Sequence, residues 1–443
     1  MRAVSKLGRC VWIGSGIYAL VYFLLGWDRY ATFHSGADLG IFMQAMASAF
    51  GGGFHDTVEH GNHFIVHFSP IYYLCAPFVL LAHSALALIA IQAIVNALVA
   101  PGLYAIAARR TPDRIAFGIA SIGWVYPPLA GVTFTDFHEN GFAPALTVWL
   151  LWAIDARRLT LGAIFALLLL GVKEDQPLFL AVVGVGAAIH YARRGDRARV
   201  SFGVALAFVS LAVFVTYFEV VRPLAGATEP WRPLHFYEPL AAQSAQTTPL
   251  FSFGRLTYLL EVFVPLLFVP LFSPVVLGAI PGLAECLLSR FSLTFTMGQH
   301  YAGVWIGYVL VAYALASSRF GTWSRRWTFV VCVLVLAVAS PTHWGHFLSI
   351  PDYHDAVLNR FVADIPADAT VGTFDEVYAH LGFVPGAQIG LDPLPQYALF
   401  DYTYRSTNWD VRLKPEFKQL LAEGAYRVVR EEDGVVLAER ARL

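Results

Sequence analysis

Four separated stretches of this 443-residue chain hold side chains that could do chemistry, each a polar turn between apolar runs. The first, GADLGIF, contains Asp38 and leads into a loop with His55, Asp56, Glu59, His60, His63 and His67. The second, TDFHENGF, offers Asp136, His138 and Glu139. The third, GVKEDQP, offers Lys173, Glu174 and Asp175, and the fourth, MGQHYAG, offers Gln299, His300 and Tyr301. Ionisable groups flanked by long apolar runs are costly to bury, so each is a functional hypothesis by default. A carboxylate such as Asp38 can take a proton as a general base, or simply favour the start of a helix. Lys173 is the only lysine between Lys6 and Lys414. It can meet a phosphate as a point charge, or close an internal ion pair with Glu174 and Asp175. Asp136, His138 and Glu139 are ligand types that suit a divalent metal, although their spacing is no specific metal signature; they equally suit hydrogen bonds to a substrate.

The elements that must position these turns are membrane spans. Hydrophobic residues make up 57% of the chain and charged residues 14%, against roughly 25% in an ordinary soluble domain. A span needs about 20 apolar residues, and about eleven candidates follow. They lie near 8–29, 84–108, 115–134, 142–156, 159–172, 176–192, 200–221, 255–272, 274–290, 300–318 and 327–347. The first is read as a retained helix, because no small-x-small cleavage pattern follows it. Orientation comes from Lys and Arg, which concentrate in cytoplasmic loops. With the N-terminus inside, MRAVSKLGR, RRTPDR, Arg157–Arg158, ARRGDRAR and SRFGTWSRR all fall inside. The outer loops of the membrane domain keep only Arg29, Lys173, Arg222, Arg232, Arg255 and Arg290. All four polar turns then share the outer face. The segment 68–82 (FSPIYYLCAPFVLLA) would invert every later loop if it crossed, so it is expected to be interfacial or re-entrant, helped by Pro70 and Pro77. Asp38 is expected on a short amphipathic helix along the membrane surface, with Leu39, Phe42, Met43 and Met46 on its apolar face.

Prolines 265, 270, 274 and 281 point to a broken or kinked pair of helices, or to ordinary helix punctuation. After residue 350 the composition changes. KPEFKQLLAEG reads as a helix closed by Gly424, and YRVVREEDGVVLAER as strand, turn, strand. Residues 1–350 therefore form a transmembrane domain, and 351–443 a small extracytoplasmic α/β domain. A net charge of −1 argues against nucleic acid as a partner. The four cysteines, Cys10, Cys75, Cys286 and Cys332, have no spacing that signals a disulfide framework or zinc. His343, His346, His354 and His380 are expected at interfacial or domain surfaces.

The order ADLGIFMQ, HFSPIYYL, TDFHENGF, GVKEDQPL, together with the tail segments IPADATVGTFDEVYAHLG and YRVVREEDGVVLAER, resembles the membrane proteins of domain-of-unknown-function family 2079. That family is similar to a branch of the GT-C glycosyltransferases. The resemblance implies a polytopic α-helical, GT-C-like membrane enzyme of the inner (plasma) membrane. It would move a sugar from a polyprenyl-phosphate donor to a glycan, lipid or protein acceptor on the outer face. It implies Asp38 as general base, and HFSPIYY resembles the His-Pro-Pro-Leu-like stretch of several relatives, although Phe68 and Ser69 separate His67 from Pro70. His67, Asp136, His138, Glu139, Lys173, Glu174, Asp175, His300 and Tyr301 would bind substrate and phosphate, with Arg255 or Arg290 as further cations. It leaves room for a divalent metal. Two other classes share this composition: a transporter or flippase, with ionisable groups at the midplane and internal repeats, and a non-catalytic envelope scaffold.

Overall fold

The computed structural model describes residues 5–237, 249–338, 348–404 and 412–441. The chain divides into two compact units. One comprises residues 1–23, 64–72 and 90–344, the other 24–63, 73–89 and 345–443.

The first unit is helical. Among the described residues, four continuous helices are long and apolar enough to cross a membrane: Lys6–Ala31, Leu86–Ala107, Arg197–Leu224 and His300–Arg319. Asp113–Val125 and Pro127–Phe134 make a fifth if their 46° bend lies within one span. The bend falls where Pro127 and Pro128 cannot continue the preceding hydrogen-bond ladder. The expected spans at 142–156, 159–172 and 176–192 fall on the helices Ala143–Asp155, Leu159–Leu170 and Gln176–Ala192, whose 13, 12 and 17 residues are fewer than the roughly 20 of a straight span. The proline-bearing pair is broken: Phe253–Phe263 ends in short 3₁₀ turns, with Leu267 and Phe268 left-handed at φ 50° and 56°. The last expected span begins in Thr322–Val338, and its end at 339–347 lies outside the described residues, as do His343 and His346.

Gly303–Ala316 is apolar on all sides and almost wholly buried, the signature of a central helix. It packs on Ala143–Asp155 at Gly307, where a Cβ would lie 2.6 Å from that of Thr147. Gln176–Ala192 and Arg197–Thr216 meet through Gly184 and Gly203, which allow the close backbone approach common between spans. Arg197–Thr216 exposes Val204, Phe208, Val209, Leu211 and Val215, an apolar face of the kind that spans present to lipid.

The second unit holds a two-stranded hairpin, β1 (His55–Asp56) and β2 (Gly61–Asn62), and a five-stranded sheet. The sheet's strands are β3 (Thr370–Thr373), β4 (Gly386–Ile389), β5 (Tyr397–Asp401), β6 (Tyr426–Glu432) and β7 (Val435–Arg440), in the order β4-β3-β5-β7-β6. β3 pairs in parallel with β4 and β5, while β7 runs antiparallel to β5 and β6. Asp433-Gly434, both at positive φ, close the β6–β7 hairpin, as such pairs do in tight turns. Gly424, φ +74°, follows the helix Lys414–Ala422.

The helix Ala37–Ala47 departs from the surface amphipath expected of it. Every residue from Leu39 to Met46 is buried. Gly40 packs on the ring of Tyr378, and Gln44 Nε2 donates to the Val384 and Ala387 carbonyls at 3.0 and 2.9 Å. The face that local periodicity leaves polar is thus covered by chain more than 300 residues later. The helix Tyr72–Ala82 has 11 residues, a rise of about 16 Å against a hydrocarbon core of about 30 Å. His380 stacks on Tyr30 and Phe33, ring centroids 4.0 and 3.9 Å away, and burial pushes its pKa down to about 3.

His354 bridges two carboxylates, Nε2 to Asp401 at 2.8 Å and Nδ1 to Asp433 at 2.9 Å. Burial opposes its protonation, but the hydrogen bonds and charges of Asp401 and Asp433 outweigh it and raise the pKa above 6.5. A raised folded pKa contributes stability that is fully present below the unfolded value and lost as pH rises through the folded one. His354→Gln should therefore destabilise the sheet unit by about 1 kcal/mol at pH 6. The gap from wild type should close toward alkaline pH. Hydrogen exchange in β5 and β7 as a function of pH reads this directly, and a gap that widens with pH would refute it.

Candidate functional site

In the first unit the polar turns converge at helix ends. Glu139 lies in the turn before Ala143–Asp155 and is fully buried. Its Oε2 accepts from Tyr72 Oη at 2.7 Å and faces His138 Nδ1 at 3.1 Å. Its Oε1 stands 3.7 Å from Lys173 Nζ, in the turn between Leu159–Leu170 and Gln176–Ala192. From the same turn, Glu174 reaches back to the segment before Tyr72: Oε1 pairs with His67 Nδ1 at 2.9 Å and Oε2 accepts from Phe68 N–H at 2.8 Å. Two carboxylates thus tie three turns into one cluster. His300, at the start of the central helix, stacks on His138 with ring centroids 3.4 Å apart and planes 8° apart, and Tyr301 lies beside His300.

The turn 135–140 is held from behind by Gln92. Its Oε1 accepts from His138 N–H at 2.9 Å, and its Nε2 donates to the carbonyls of Val132, Thr135 and Asp136. Gly303 lets the central helix touch the same turn, since a Cβ there would run into the Asn140 carbonyl. Gly303→Val should cost about 1–3 kcal/mol by overpacking and lower the melting temperature of the detergent-solubilised chain. An unchanged melting point would show that the turn gives way.

Burial opposes the charge of Lys173, but Glu139, then Glu174, Asp175 and Glu285, outweigh it and hold its pKa above the ordinary lysine value. Burial also works against Glu174, yet His67 and Lys173 keep its pKa below the usual carboxylate range. Asp175 is driven the other way, by burial and by Glu285. The cluster therefore favours the charged forms of Lys173 and Glu174 and disfavours that of Asp175.

Several buried polar atoms in these turns have no hydrogen-bond partner among the described residues. They include Glu139 Oε1, both amide atoms of Asn140, Asp175 Oδ2 and Gln176 Oε1. Lys173 Nζ has its ion contact with Glu139 at 3.7 Å, beyond hydrogen-bond range. Buried polar atoms are nearly always paired, so this set is what a polar ligand would complete.

Not every expected cation belongs to this group. Arg255 donates to the carbonyls of Pro249, Leu287 and Ser289 and lies 4.2 Å from the centre of the Phe295 ring. It serves as a brace for the 287–289 turn. Trp231 Nε1 donates to the Val66 carbonyl at 2.8 Å, Phe236 stacks on Phe291, and Tyr237 Oη donates to the Glu285 carbonyl at 3.3 Å. Tyr72, Gln92, Asn140, Gln176 and Glu285 are members that sequence reasoning passed over; a glutamine within the apolar run 84–108 and a glutamate within 274–290 were the available signals. Asp38 lies in the other unit, exposed in the first turn of Ala37–Ala47.

A family model described as a predicted membrane protein, domain of unknown function 2079, matches residues 29–437. The chain belongs to that family. No curated protein sequence matches it. Among solved structures, ArnT from Cupriavidus metallidurans bound to undecaprenyl phosphate is similar at a TM-score of 0.57 and 13% identity, over 96% of this chain and 98% of that one. The apo state of the same ArnT gives 0.57 and 12% over the same shares. An oligosaccharyltransferase from Archaeoglobus fulgidus reaches 0.41 at 13% identity, covering 92% and 71%, too distant to bear on the fold. The ArnT likeness establishes that this family member has a GT-C-like membrane fold with a small C-terminal sheet domain.

Proposed function

We propose that this chain is a membrane glycosyltransferase that moves a sugar from a polyprenyl-phosphate donor to a glycan, lipid or protein acceptor on the extracytoplasmic face. One observation carries the reading: buried Lys173 brings its ammonium to 3.7 Å from Glu139 Oε1, in turns that hold several unpartnered polar atoms at the ends of apolar helices. A leaving phosphate supplies the acceptors that an ammonium lacks, and the unpartnered carboxylate and amide atoms suit sugar hydroxyls. The ArnT fold likeness supports the class of donor, since that protein was solved with undecaprenyl phosphate bound.

In the proposed reaction the acceptor oxygen attacks the anomeric carbon and the carbon–oxygen bond to phosphate breaks. The bonding pair leaves on the phosphate oxygen, stabilised by Lys173, while Asp38 takes the acceptor proton. Asp38 enters through the family resemblance and its exposed carboxylate. His67, Glu174, Tyr72 and His138 hold Glu139 and Lys173 in register, and His300 and Tyr301 extend the sugar-facing side. Asp136 takes part in the turn that Gln92 fixes.

A transporter would need its ionisable groups near the bilayer midplane. Here His67, Glu139, Lys173 and His300 all sit in turns or at helix starts, which favours chemistry at the membrane boundary. The charge distribution supports a multi-pass inner-membrane protein with the sheet domain outside. The deciding experiment is transfer by the purified chain in liposomes, supplied with a panel of polyprenyl-phosphate sugars and envelope glycolipids. Release of free polyprenyl phosphate with one donor is expected. Unchanged donors across the panel, with no binding of undecaprenyl phosphate by native mass spectrometry, would sink the reading.

A further inference from the structure

Within the second unit, the hairpin β1–β2 gathers Asp56, Glu59 and His63. One ligand atom from each lies within 4.8 Å of the others. Asp56 is 5% exposed, and its Oδ2 has no hydrogen-bond partner among the described residues. Its Oδ1 accepts from Glu59 N–H at 2.7 Å, which turns the chain tightly after β1. Glu59 Oε2 faces His63 Nδ1 at 2.6 Å, and His63 is fully buried. Left-handed His60 (φ 61°) and Gly61 bring His63 back beside Asp56.

We propose that Asp56, Glu59 and His63 form a site for a divalent transition-metal ion of the zinc class. Two carboxylates and one imidazole are ligands such ions accept, and three protein ligands leave one position for water. Without a cation, two carboxylates share a buried corner, and one of their oxygens has no hydrogen-bond partner among the described residues. A divalent ion cancels both charges and gives the stranded Asp56 oxygen its partner. Tetrahedral ligand atoms stand roughly 3.3 Å apart, so the Glu59–His63 contact opens by a little over half an ångström on binding.

The placement gives the ion a task. Thr57, next to Asp56, donates its N–H to Gln44 Oε1 at 3.0 Å, and the same oxygen accepts from Tyr378 Oη at 2.7 Å. Gln44 thereby fastens both the loop and the helix that carries Asp38 to the sheet domain. An ion at Asp56, Glu59 and His63 would staple the turn 57–60 at that junction, independently of whether the chain is a transferase.

The test uses the full-length chain in detergent, purified through a histidine-free tag, stripped with chelator and dialysed against Zn²⁺. About one equivalent of zinc per chain is expected by mass spectrometry, with Asp56→Asn and Glu59→Gln each at least tenfold weaker. X-ray absorption of the wild type should show a shell of one imidazole with oxygen ligands, a readout that survives if either variant misfolds. No zinc in the wild type, equal loading of both variants, or a shell with more than one imidazole would each overturn the proposal. So would loss of zinc in His138→Ala while both hairpin variants stay loaded, which would place the ion in the membrane unit.

Discussion

Lys173→Met is expected to lower sugar transfer by about 10²–10³-fold, the range found when one donor to a developing oxyanion is removed. Methionine keeps an unbranched side chain, one heavy atom shorter, and removes the charge and its donors. The variant also strands Glu139, whose Oε1 is the nearest carboxylate oxygen at 3.7 Å, and breaking one side of a buried pair costs roughly 3–5 kcal/mol. Stability and catalysis would then fall together, so the informative protein is Lys173→Met with Glu139→Gln. The second change removes the uncompensated charge while leaving an acceptor for Tyr72 Oη. The double variant should recover most of the lost melting temperature and none of the lost binding of undecaprenyl phosphate. Binding restored to the wild-type level would show that Lys173 is only the counter-ion of Glu139.

Which features could be read from the sequence follows from how far each interaction reaches along the chain. The apolar runs, the proline-broken pair at 265–281 and the β6–β7 hairpin depend on neighbours a few residues apart, and local pattern contains them. The polar turns were visible because lipid makes charge conspicuous. Their closure into one cluster was not, since Glu174 meets His67 and Phe68 across more than 100 residues. Gln92 shows the same limit. In an apolar run it reads as a tolerated polar residue, and only the fold reveals that its amide holds four backbone groups of the turn 132–138. The helix Ala37–Ala47 misled for a related reason. Its apolar stripe was real, but Gly40 and Gln44 on the other faces are covered by the sheet domain, which no window of local periodicity contains.

Asp38→Asn should reduce turnover by about 10²–10⁴-fold, the usual contribution of a general base, while leaving donor affinity within a factor of about three. The expectation of a clean separation rests on where the side chain sits. Asp38 is exposed in the first turn of its helix, so replacing it removes little packing. The helix dipole loses a favourable negative charge there, worth roughly 0.3–1 kcal/mol, and asparagine is itself well tolerated near a helix start. A base acts on the acceptor proton in the transition state, so the loss must appear in kcat with KM for the donor nearly constant. A structural role predicts the reverse pattern, with a lower melting point and no selective fall in kcat. Full transfer by a well-folded Asp38→Asn protein would remove this carboxylate from the mechanism. Lys173 would then remain a phosphate site whose base must be sought among the unpartnered carboxylate atoms of the membrane unit, Glu139 Oε1 first.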